Sequence, residues 1–213
     1  MRVTALDPQA AAVLARLAAN GGRPLHEQTP AEARLGASGF LELFGPGEQV
    51  ASVEHRFIPG PTADLPVRIY TPLTGCAPFP ALVSFHGSGF VISNIGVFDA
   101  PNRALANRTG CIVVAVNYQK APEHRFPVPF DDAYAATQWV FDHAAELASM
   151  PAASASSATG LRWFAQQYLR AAGVRVVAKR FDGMIHGFYG MSAVLDAANE
   201  LFDDIAAFVR TLD

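Results

Sequence analysis

The chain has 213 residues, 51% of them apolar, and a formal charge of −3. That length fits one domain, 1–213, with material for a sizeable core, and a near-neutral balance without a Lys/Arg block excludes an electrostatic footprint for nucleic acid. The longest apolar run, 111–116, is far short of the ~20 residues of a membrane span, and no basic segment leads into an apolar stretch at the start, so a cytoplasmic protein with no membrane span is expected.

Asp7 and Pro8 read as N-cap and first helical residue, with Gly21 as the stop. Val13, Leu14 and Leu17 form one apolar face between them, and Leu6 lies just outside. A second, weaker helix is expected from Thr29-Pro30, with Thr29 capping and Glu32 in the first turn, fading at Gly36 and Gly39. Residues 53–58 and 67–70 alternate around the turn material Pro59-Gly60-Pro61, which predicts antiparallel strands at a sheet edge. Residues 81–85 and 112–116 are nearly continuous apolar runs, as in strands buried on both faces of a parallel sheet. A crossover helix over 98–108 joins them. Two cysteines, Cys76 and Cys111, make no disulfide framework, and Cys111 reads as a small buried hydrophobe.

Asp131-Asp132 predict the start of a helix running to Leu147, with acids at its positive end. Residues 149–160 have no periodicity and no large apolar residue after Met150, the composition of a flexible linker. A helix is expected over 161–172, stopped by Gly173, and a strand over 174–178. Val194, Leu195, Ala198, Leu201, Phe202, Ile205, Phe208 and Val209 then keep a helical stripe, with Ser192 as its N-cap.

His86-Gly87-Ser88-Gly89 follows a buried strand. Small residues there let backbone N–H groups face a developing oxyanion, although an ordinary strand-to-loop turn has the same composition. His186, between Gly183 and Gly187, is a general base or a loop histidine. Asp99, Asp131, Asp132 and Asp182 each read as caps or surface charges.

Taken together, these pieces resemble the hormone-sensitive-lipase-like branch of the α/β-hydrolases, the bacterial family IV carboxylesterases. The likeness runs through Val67-Arg68-Ile69-Tyr70-Thr71-Pro72, His86-Gly87-Ser88-Gly89-Phe90 and Asn117-Tyr118-Gln119-Lys120-Ala121-Pro122-Glu123-His124-Arg125-Phe126-Pro127. Asp131-Asp132-Ala133-Tyr134 and Gly183-Met184-Ile185-His186-Gly187-Phe188 complete it, in the family's order. The resemblance implies an α/β fold: a mostly parallel sheet with helices on both faces, and cap helices over 1–45. It implies that Ser88 and Gly89 lend N–H groups to an oxyanion hole, with Ser88 where the family has glycine. The serine's Cβ restricts the backbone there, and its hydroxyl is expected to crowd the acyl pocket. His86 matches a loop-bracing histidine, and His186 the base that takes a serine proton and returns it to the leaving alcohol. Glu123, His124 and Arg125 match a structural loop beside the site. The implied substrate is a small-molecule ester of short acyl chain, with no cofactor and no metal.

Two parts of the family's pattern are absent: a strand with its Gly-Asp-Ser-Ala-Gly-Gly elbow, and the later Asp-Pro-Leu segment that supplies the acid. No Gly-x-Ser-x-Gly occurs in the sequence, so neither a nucleophile nor an acid is found. Ser157 lacks the glycine two residues before it, and Ser192 reads as a cap. Between Leu147 and Leu161, two or more βα units with the central strands are expected to be deleted. One origin of 153–159 is a frameshift, since GCA-TCG-GCG-TCG-TCG-GCG-ACA shifted by two bases encodes Ile-Gly-Val-Val-Gly-Asp. Little or no ester turnover is then expected. Unpaired strand edges would favour low stability, aggregation or a homodimer through exposed sheet edges. The alternatives are a non-catalytic ligand-binding or interaction protein on the same fold, and a non-functional frameshift or deletion remnant.

Overall fold

Alternating residues build the first hairpin, β1 (Ser52–Ile58) and β2 (Leu65–Thr71), in a computed structural model that describes residues 5–150, 177 and 179–211. The two strands pair antiparallel, with Ser52 opposite Thr71 and Ile58 opposite Leu65. β2 also pairs antiparallel with β4 (Ile112–Val116), which runs parallel to β3 (Phe79–Phe85). A two-residue β5 (Ser149–Met150) joins β3 in parallel. The order β1-β2-β4-β3-β5 makes a mixed sheet, antiparallel at its start and parallel where the continuous apolar runs lie.

Helices cover both faces. Val67, Ile69, Val83 and Val114 share one face with Ala136 and Val140 of α5 (Val128–Asp142). Tyr70, Leu82, Val113 and Ala115 share the other with Leu105 of α4 (Asp99–Thr109) and Phe202 and Val209 of the C-terminal helix α6 (Asp196–Val209). Successive strand residues point to opposite faces. Covered on both sides, β4 therefore buries all five of its side chains.

At the N-terminus, Asp7 caps α1 (Pro8–Ala19) by accepting from the N–H groups of Gln9 and Ala10. Thr29 and Glu32 form a reciprocal capping box at the start of α2 (Pro30–Gly36), and the short α3 (Leu41–Phe44) follows. Ala10, Val13, Leu43 and Phe44 pack on Val97, Phe98, Met191 and Leu195. These N-terminal helices therefore lie against the segments that carry His86 and His186.

Several expectations need correction. Leu6, Leu14 and Leu17 are 45%, 42% and 41% exposed. α1 rests instead on Ala10 and Val13, the edge of its apolar stripe where a small residue permits close approach. α5 begins a turn before Asp131, at Val128, where Pro129 fits because first-turn N–H groups have no helical partner. It ends at Asp142 rather than Leu147, and residues 143–148 continue as turns. Asp132 is no surface charge; it is fully buried. Ser192 does not cap α6, whose N-cap is Leu195, and its carbonyl accepts from Asn199 Nδ2 at 3.1 Å. Cys111 is buried, as expected, and Cys76 is exposed. The helix expected over 161–172, the strand over 174–178 except Val177, Ser157 and the 153–159 string lie outside the described residues.

Candidate functional site

β3 ends at Phe85 and delivers His86 into an aromatic stack. The imidazole lies 4.6 Å from the Tyr118 ring at 16° and 5.8 Å from Phe98 at 26°, and Phe98 stacks on Tyr189 at 5.6 Å. Four rings thus join the loop after β4 to the loop that follows His186. Burial pushes the His86 pKa down to about 4; the Lys120 charge adds to this, while the Gly87 backbone and the Asn117 side chain oppose it. Neither ring nitrogen has a hydrogen bond of good geometry among the described residues. At neutral pH this histidine is an uncharged packing piece.

The turn after His86 is pinned by one phenol. The Tyr118 hydroxyl donates to the His86 carbonyl at 2.7 Å. Its single proton is thereby used, so in the 2.5 Å contact with Ser88 Oγ the serine is the donor. Burial raises the Tyr118 pKa and keeps that proton in place. Ser88 Oγ in turn accepts from the Phe90 N–H at 2.9 Å. The expectation that this hydroxyl crowds an acyl pocket is therefore corrected: it is buried and turned onto Tyr118. Gly89 and Phe90 both take left-handed backbone, at φ 56° and 62°. Glycine does so freely, whereas phenylalanine does so under strain. The Ser88 carbonyl closes the turn by accepting from Val91 and Ile92 at 3.1 and 3.0 Å.

The N–H groups of Ser88 and Gly89 donate to no acceptor among the described residues. The space beside Gly89 is open, with nothing within 4 Å of where a Cβ would stand. Two adjacent donors on a pinned turn can receive a carbonyl oxygen and hold it better as it gains charge.

Arg34 of α2 clamps this turn to the next loop. Its Nε donates to Val91 O at 2.9 Å and its Nη2 to Ala121 O at 2.8 Å. A bidentate pair with Glu123 at 2.7 and 2.6 Å completes the clamp and holds the Glu123 carboxyl down at about 2. On the far side of that loop, buried Asp132 accepts from Gln119 N at 2.8 Å and Gln119 Nε2 at 3.2 Å.

His186 is exposed and sits on a turn docked against α1. The Gly183 carbonyl accepts from the Asp7 N–H at 3.0 Å. With φ at 81°, a Cβ on Gly183 would stand 3.0 Å from Ala5 O and Asp7 N, so the approach requires glycine. Past Gly187, at φ 77°, a 3-10 turn (Phe188–Gly190) brings Tyr189 Oη to 3.5 Å from the Gly87 N–H. The two motif loops thus meet through Tyr189. Of the remaining acids, Asp99 opens α4 and accepts from Arg68 and Arg103 at 2.6 Å and from Tyr70 at 2.9 Å. Burial pushes its pKa up, but those hydrogen bonds win and hold it below the ordinary value. Asp182 pairs with Arg180 on the surface. Among the described residues, no group of three His, Cys, Asp or Glu is placed to hold a metal ion, and no helix is long and apolar enough to cross a membrane.

Tyr118, Tyr189, Arg34 and Asp132 are the residues whose roles the sequence does not announce. Residues 82–157 match a family model described by the α/β hydrolase fold. Superposition on a hyperthermophilic esterase from the archaeon Pyrobaculum calidifontis gives a TM-score of 0.83 at 23% identity, covering 98% of this chain and 99% of that one. The fold is that of an α/β-hydrolase. The chain also matches EstE1, a thermophilic carboxylesterase from a metagenomic library, with a TM-score of 0.72 at 24% identity over 86% of this chain and 97% of that one. In sequence it is carboxylesterase-like. It is 41% identical over 88 residues to Carboxylesterase NlhH of Mycobacterium tuberculosis, covering 41% of this chain and 28% of the relative. It is 43% identical over 96 residues to tuliposide A-converting enzyme b1 of Tulipa gesneriana, covering 43% of this chain and 26% of the relative. The matches thus span little more than a quarter of the length of these curated relatives.

Proposed function

We propose that this α/β-hydrolase chain holds a short-chain carboxylic ester with its carbonyl oxygen on the Ser88 and Gly89 N–H groups, beside His186 as base, and that its turnover is severely impaired. The observation that carries the reading is the pair of unclaimed N–H groups on a turn otherwise fixed by Tyr118 and Arg34. The similarity to carboxylesterases supports the substrate class. Impairment follows from the sequence, which has no Gly-x-Ser-x-Gly to furnish a nucleophile for His186. Oxyanion stabilisation without a nucleophile leaves only residual catalysis. On this reading the nucleophile and acid segments are deleted between Leu147 and Leu161. The protein then works in the cytoplasm on a small ester, alone or as a homodimer joined at sheet edges.

Hydrolysis of p-nitrophenyl butyrate with fluorophosphonate labelling tests impairment. The expected outcome is near-background hydrolysis and no stoichiometric label, and fast turnover with full labelling overturns it. An N-aryl butyramide that cannot turn over should bind saturably, and absence of binding sinks the site itself. Binding without hydrolysis also describes a non-catalytic ligand-binding protein, the reading favoured by the missing elbow. Codons over 153–159 that encode no Ile-Gly-Val-Val-Gly-Asp in another frame remove the frameshift origin.

A further inference from the structure

Helix α5 carries large apolar side chains on the side that faces away from the core. Its buried residues, Pro129, Asp132, Ala136 and Val140, recur every three or four positions, and Ala136 and Val140 pack on the sheet. Phe130, Tyr134 and Phe141, four and seven residues apart, line the opposite side of the same helix. Phe126, on the turn that leads into α5, adds a fourth ring at the N-terminal end. These four side chains are 59 to 86% exposed, and none belongs to a packed cluster among the described residues. Thr137 and Gln138 lie within the stripe, and no charged residue does. Single apolar side chains on a surface are ordinary, but a row of aromatics without charges is the composition of an interface centre.

We propose that two copies of this chain pair antiparallel along the outer sides of α5, about a two-fold axis near Tyr134. Area and charge both fit a second copy. At roughly 200 Å² per aromatic side chain, the exposed fractions leave about 550 Å² per copy. A symmetric pair then buries about 1,100 Å², above the roughly 1,000 Å² that a specific interface needs. Arg125 and Asp142 bound the stripe at its two ends. Both are exposed, and neither pairs with an opposite charge among the described residues. They lie equally far along the chain from the point between Ala133 and Tyr134. A two-fold axis there sets each Arg125 beside the other copy's Asp142 and each Phe126 beside the other copy's Phe141, giving an apolar centre with a charged rim. This surface is separate from the sheet edges and does not depend on ester binding.

Sedimentation velocity of the full chain over a wide concentration range should show a reversible dimer. The double substitution Phe130→Lys with Tyr134→Lys puts ammonium groups into the interface and should leave a monomer. Both positions face away from the core, so cooperative unfolding should be retained. Arg125→Asp sets like charges against each other at both rims and should weaken the dimer by about tenfold at low salt. Arg125→Asp combined with Asp142→Arg restores opposite charges and should recover the affinity. A monomer at every concentration overturns the proposal. So does a dimer unmoved by the two lysines, which would place the contact at a sheet edge, or a charge swap that recovers nothing.

Discussion

Acidification asks the His86 ring to take up a proton between two aromatic faces, where water cannot reach it. Its pKa in the fold is about 4, against 6.5 for an ordinary histidine. Above pH 6.5 the ring is neutral in both folded and unfolded chains and contributes no slope. From there down to the folded pKa, the unfolded chain binds the proton and the folded one does not. Stability therefore falls as pH falls, by about 1.4 kcal/mol per pH unit. Below about pH 4 both states are protonated, and the loss levels off near a total of about 3 kcal/mol. That is a large share of the roughly 5–15 kcal/mol typical of a domain. Asp99 and Glu123, whose pKa values are lowered, lose their contributions only further toward acid, so the window above pH 5 belongs to the histidine. Urea unfolding of the wild type and of His86→Phe, which keeps a ring in the stack, isolates the effect. The stability difference between them should shift by about 2 kcal/mol between pH 6.5 and 5. A flat difference refutes the reasoning. A shift of opposite sign would mean that the Tyr118 and Phe98 faces stabilise an imidazolium by more than burial costs it.

Tyr118→Phe should leave the His86 carbonyl and Ser88 Oγ without their shared partner, costing about 1–3 kcal/mol. Amide exchange at Val91 and Ile92 should quicken with it, and unchanged exchange there would show that the turn holds itself. Arg34→Ala removes the donors to Val91 O and Ala121 O. Since the Glu123 end is about half exposed, the ion pair itself adds little. A loss of about 1–3 kcal/mol is expected from the two carbonyl bonds, with faster exchange at Ala121 and His124 but not in β4. Equal loosening of β4 would contradict a clamp confined to the loops.

The sheet was legible because periodicity records burial. Alternation marked β1 and β2, while Ile112-Val113-Val114-Ala115-Val116 recorded cover on both faces. Caps at Asp7 and Thr29 were legible because their chemistry is local. Three-dimensional choices were not. Nothing in the stripe of α1 says that Ala10 rather than Leu14 faces inward, because that depends on how closely the neighbouring segment approaches. Asp132 was misread for a similar reason. An acid in the first turns of a helix has a sufficient local explanation, and only the fold brings Gln119 to it. Ser88 and Gly89 were legible as motif members, but the serine's orientation depends on a tyrosine thirty residues away.

Three fixings of the Ser88–Gly89 turn come from upstream of residue 150, besides the contact of Tyr189 Oη with the Gly87 N–H. Arg34 comes from the N-terminal helices, Tyr118 from the loop after β4, and Asp132, which anchors that loop, from α5. The His186 turn is held by Asp7 and by the cluster around Phe98. Strand pairing to β3 on its side away from β4 is described only at Phe79 and Pro80, yet the turn beyond His86 is closed by its own hydrogen bonds. A chain without a Gly-x-Ser-x-Gly sequence still presents two N–H groups on a turn closed by its own hydrogen bonds, and on the proposed reading supplying a nucleophile is the task of another segment. Binding and turnover should accordingly separate. Tyr118→Phe should weaken an ester analogue, whereas substitution of Ser157 or Ser192 should leave its binding unchanged.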